Sequence, residues 1–98
     1  MKQNTLLHKQ FEKVSPAIRL EMTWSAGIVD AIERLAKEKG ISQRELANRI
    51  GCHETQIARW TKGFPNFTLQ SLAKLSVALG EDLIHLSSSP DDPSHKND

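Results

Sequence analysis

Apolar residues recur at three- and four-residue steps through most of the chain, and no stretch alternates as a half-buried strand would. The pattern predicts an all-α protein. A first helix is expected over residues 25–39, with Ser25 as its cap, a stripe of Ile28, Val29, Ile32, Leu35 and Ala36, and Gly40 as its left-handed stop. Ser42 and Glu45 have the spacing of a capping box, and Leu46, Ala47 and Ile50 give a short second helix its apolar side before Gly51. A third helix is expected over about residues 54–62, with Ile57 and Trp60 facing inward. It stops at Gly63, and Pro65 forbids its continuation. Thr68 caps a fourth, TLQSLAKLSVALG, in which Leu69, Leu72, Ala73, Leu75 and Leu79 are expected to point inward and Gly80 closes the end.

The two ends read differently. Leu6, Leu7, Phe11 and Val14 lie at near-helical spacing in an amphipathic segment with little partner surface of its own, and Pro16 separates that segment from the rest of the chain. Either packing on the domain or an interface with another protein would satisfy it. Trp24, just before the expected cap, reads as a hydrophobic staple or as part of that interface. Beyond the fourth helix, Leu83, Ile84 and Leu86 could pair across a dimer axis, whereas SSSPDDPSHKND has the composition of a disordered acidic tail. The expected organisation is an extension over 1–24, a helical domain over 25–86 and a tail over 87–98.

Composition narrows the chemistry. Ninety-eight residues suit one core, and the lone Cys52 excludes an internal disulfide or a multi-thiolate zinc site, leaving packing to hold the fold. Cys52 itself reads as a small packing residue. His8, His53, His85 and His95 lack ligand spacing, and neither a nucleophile triad, a phosphate loop nor a pocket-forming carboxylate pair is evident. Neither a metal, another cofactor nor catalysis is therefore expected. Without a membrane span or a secretion signal in the pattern, the expected location is cytoplasmic. The net charge of +1 hides a division: residues 1–33 are neutral, residues 34–80 carry +5, and residues 81–98 carry −4. A basic centre suits a polyanionic partner.

Two short helices joined by a glycine turn, with longer amphipathic helices on either side, form a helix-turn-helix arrangement. Its third helix can enter a major groove about 12 Å wide while the second crosses the phosphate backbone. With Ile57 and Trp60 inward, Glu54, Thr55, Gln56, Arg59 and Lys62 are left to face such a groove.

The run GISQRELANRIGCHETQIARWTKGFPNFTLQSLAKLSVALG resembles the xenobiotic-response-element (Cro/repressor-like) helix-turn-helix family, a likeness extending over residues 28–84. It rests on Ser42-Gln43 followed by Leu46-Ala47, Gly51 in the turn, Ile57 and Trp60, Gly63, and Leu69, Leu72, Ala73 and Leu79 taken together. The ending FPNFTLQSLAKLSVALGEDLI and the N-terminal extension are similar to HigA-type antitoxins, of the host-inhibition-of-growth group. The resemblance implies a lambda-repressor-like bundle that binds an operator as a homodimer, represses its own operon and neutralises an RNA-cleaving toxin. Carried over by position, it gives Gln43 a phosphate and places Thr55, Gln56 and Arg59 at base edges, Arg59 as the guanine reader. Gln56 suits a phosphate equally well. Lys62 and Asn66 fall in the loop pressed onto phosphate. Glu54 departs from the usual neutral readers and suits either the helix N-terminus or a cytosine amino group. A stand-alone regulator, or an interaction adaptor that keeps the fold without binding DNA, is the alternative.

Overall fold

The computed structural model describes residues 14–87, which form four α-helices: α1 (Pro16–Lys39), α2 (Gln43–Ile50), α3 (Glu54–Trp60) and α4 (Leu69–Leu79). The expected interface helix over residues 5–14 lies outside them except for Val14, and the tail does so from residue 88 onward. All-α architecture holds throughout the described residues. Ile32 and Leu35 of α1, Ile41, Leu46 and Ala47 at α2, Ile57 of α3 and Leu75, Ala78 and Leu79 of α4 meet in one core. The second half of α1 and α2 thus pack on the apolar stripe of α4, while α3 docks chiefly on α2 and sends Ile57 into the same core.

The start of α1 departs from expectation. Ser15 caps the helix, its Oγ accepting from the Ile18 amide at 3.1 Å, and Pro16 occupies the first helical turn. Proline's fixed φ and missing N–H suit that position, so the residue read as a separator initiates the helix. Ser25 is therefore not a cap. It is buried nine residues into α1, where its hydroxyl donates to the Pro65 carbonyl at 2.7 Å and ties α1 to the loop before α4. Trp24 is not a staple either, being 62% exposed on a helix that runs unbroken across the expected boundary at residue 24.

Other local signals act as read. Ser42 Oγ accepts from the Glu45 amide at 3.1 Å, and Thr68 Oγ1 from the Ser71 amide at 3.0 Å. The reciprocal arm of the capping box is absent, because the Glu45 carboxylate accepts instead from Arg49 Nε at 3.0 Å. Gly51, at φ 84°, closes α2 in the left-handed region, and its amide and that of Cys52 both donate to the Ala47 carbonyl. A side chain there would meet open space but strained backbone, so the requirement is conformational rather than steric.

In α4 the inward stripe is narrower than expected. Leu72, Leu75, Ala78 and Leu79 are buried, whereas Leu69 is 76% exposed and Ala73 also faces outward. One helix packing on one side buries a single stripe, and the i, i+3, i+6, i+7 set fills it. The last carbonyls of α4 are held by two cations: Lys39 Nζ donates to Leu79, and Arg49 Nη1 to Ala78 at 2.9 Å. Two of the central basic residues are thus occupied within the fold. Leu83 packs against the core and its amide donates to Ser76 Oγ at 3.0 Å, which leaves Ile84 and Leu86, but not Leu83, exposed for a dimer contact.

Candidate nucleic-acid interface

The turn joining α2 to α3 is three residues long, Gly51, Cys52 and His53, and the two helices make the most extensive contact in the fold. Cys52 packs against the core as a small partly buried residue. Ile57, 1% exposed, is the one fully buried residue of α3 and fixes its roll. Trp60 sits at the core margin rather than inside it, with its ring 6.4 Å from that of Phe67. The helix ends there, two residues earlier than expected: Thr61 leaves the helical conformation at φ −113°, and its hydroxyl donates to the Ile57 and Ala58 carbonyls at 3.1 and 3.2 Å. Lys62 consequently lies in the turn after α3 rather than on it.

This roll leaves Thr55 and Arg59 exposed on the solvent side of α3, one turn apart, and Gln56 partly buried beside Ile57. Gln43 is exposed in the first turn of α2, and Lys62 and Asn66 are exposed in the loop before α4. The six residues expected to meet DNA therefore occupy the α2 start, α3 and the loop after it, and only Gln56 is partly withdrawn. Arg59 and Lys62 form neither an ion pair nor a hydrogen bond among the described residues. Their charges are available to a partner, whereas those of Arg34, Arg49 and Lys39 are shared with Glu38, Glu45 and the end of α4.

Arg44 joins this surface without having been expected there. From the first turn of α2 it reaches across the turn so that its Nε lies 3.3 Å from Glu54 Oε1 at the start of α3. The signal in the sequence is only a cation and an anion ten residues apart, which means nothing until Gly51 folds the two helix starts together.

Among the described residues there is no cluster of His, Cys, Asp or Glu able to hold a metal, and no helix long and apolar enough to cross a membrane.

A short α2, a glycine turn and an α3 anchored by one side and open on the other define a helix-turn-helix module. A helix-turn-helix family model (HTH_3) matches residues 32–86, more than half of the chain, and the chain belongs to that family. It is a DNA-binding transcription regulator of the Cro and repressor type. No curated protein and no solved structure matches it.

Proposed function

We infer that the protein is a sequence-specific repressor that binds its operator as a homodimer and serves as the antitoxin of a toxin–antitoxin pair. The observation that carries the repressor reading is the solvent side of α3: Thr55 and Arg59 stand exposed one turn apart, with Lys62 and Gln43 exposed at either flank. Gln43 and Lys62 contact phosphate and set affinity; Thr55, Gln56 and Arg59 lie at base edges and set sequence choice. Exposed Ile84 and Leu86 after α4 supply apolar surface for a two-fold contact, as an operator of two half-sites requires.

Titration of the chain with its own upstream DNA and with random duplex, at two salt concentrations, tests this reading. Both affinities fall as salt rises because bound phosphates release counterions, while the preference for upstream DNA persists. Equal affinity for the two duplexes at both concentrations removes the repressor function.

The toxin partner is supported by the first turns of α1, which present Ile18, Leu20 and Trp24 to solvent ahead of the residues that enter the core. Isolated apolar residues are ordinary on a surface, but Leu20 and Trp24 lie one turn apart on the same face of α1 and together make an apolar surface suited to a protein partner, with Ile18 on the other side of the helix. Deleting residues 1–22 is expected to leave operator affinity within about twofold, since the buried residues of α1 begin at Ser25, and to weaken capture of the toxin encoded beside it. A truncated chain that neutralises the toxin fully takes the extension out of that interface.

A further inference from the structure

We propose that Glu54 is a base-reading residue selective for cytosine, and that Arg44 is its positioning residue. The inference rests on the repressor reading above and adds a base contact to it. It starts from an apparent misfit. A carboxylate at the start of the groove-entering helix faces a polyanion, and an unpaired one would be repelled by the phosphates on both sides of the groove.

The structure supplies its counter-charge. Arg44 comes from the neighbouring helix, and the Nε–Oε1 separation of 3.3 Å fixes one carboxylate oxygen while leaving Oε2 without a partner among the described residues. Both side chains are more than half exposed, at 80% and 51%, so the pair adds little to the stability of the free protein. Its consequence lies on the DNA. In a groove from which water is partly displaced, a neutralised and oriented carboxylate can approach base edges that a free one cannot.

The chemistry of Oε2 then selects the base. A carboxylate only accepts hydrogen bonds. In the major groove guanine offers the acceptors N7 and O6, thymine the acceptor O4 and a methyl group, and adenine an N6 donor beside the acceptor N7. Cytosine alone presents a donor, N4, without an acceptor on the same base. Arg59 one turn on favours guanine, so the two side chains divide the groove by opposite hydrogen-bonding character.

Selection of binding sites from a random duplex pool, with wild type, Glu54→Gln, Arg44→Gln and the double variant, tests this. Wild type is expected to enrich C·G at one position of each half-site by roughly 5- to 100-fold. Glu54→Gln moves that position to A·T, because a carboxamide matches adenine N6 and N7 as donor and acceptor. Arg44→Gln lowers affinity for the wild-type site by about 10-fold when Glu54 is present and by less than about twofold when it is Gln, the non-additivity that a coupled pair shows. Glu54→Gln enriching the wild-type base at every position overturns the proposal, as does an equal loss from Arg44→Gln in both backgrounds. Wild type enriching no sequence at all removes the repressor reading and the proposal with it. All four chains should unfold within a few degrees of one another, because the substituted side chains lie at the surface.

Discussion

Replacing Ile57 by alanine is expected to lower the thermal midpoint by roughly 8 to 40 °C, from a loss of about 2–5 kcal/mol and about 4–8 °C per kcal/mol in a domain this small. The effect is large because Ile57 is the residue by which α3 enters the core, Trp60 reaching only its margin. The helix is seven residues long, too short to persist alone, and His53 provides no side-chain cap at its start. Ile57 alone among its residues is fully buried, against Ile32 and Leu46. A solvent-open cleft of about 60 Å³ lies beside Ile57, lined also by Ala36, Ile41, Ser42 and Thr61, so truncating the side chain widens that cleft. Leu79→Ala, which removes a comparably buried side chain from α4, provides the control. Both variants lose stability, but at a temperature where both remain folded only Ile57→Ala should also lose operator affinity, because only there does the reading helix lose its seat. A fall of less than about 5 °C would mean that the Arg44–Glu54 pair and the Trp60–Phe67 contact hold α3 without it.

The seat of α3 was legible in the sequence, and so was most of what surrounds it. Caps and stops at Ser42, Gly51, Thr68 and Gly80 are local devices, each satisfied within four residues of its helix end, and local pattern finds them. Ser25 defeats the same reasoning. A serine before an apolar stripe has the look of a cap, yet its hydroxyl is bound to a carbonyl forty residues further along the chain, a fact no window contains. Pro16 is equally ambiguous, since a proline that breaks one helix can begin the next. Leu69 misleads for another reason: periodicity reports which residues could share a face, while the width of the neighbouring surface decides how many are covered. For the interface, inward Ile57 was enough to turn Thr55 and Arg59 outward. The Arg44–Glu54 pair required the turn itself.

Arg59→Ala is expected to weaken binding to the operator by roughly 5- to 160-fold, the equivalent of the 1–3 kcal/mol that a bidentate arginine–guanine pair contributes. Its stability should hardly change. Arg59 is exposed and makes neither an ion pair nor a hydrogen bond among the described residues, so its removal orphans no group in the fold. The loss should be confined to specific binding: random duplex, held by phosphate contacts, retains most of its affinity, and discrimination relaxes at one base pair. Lys62→Ala provides the contrast. It is expected to weaken all sequences alike and to reduce the slope of log affinity against log salt by about 1, as the loss of one phosphate contact requires. Arg59→Lys keeps the charge but not the planar fork, so it should resemble alanine on the operator and wild type on random DNA. If instead Arg59→Ala weakens every duplex equally and Arg59→Lys restores it, the guanidinium acts as a charge on the backbone, and the choice of sequence passes to Thr55, Gln56 and the turn beneath them.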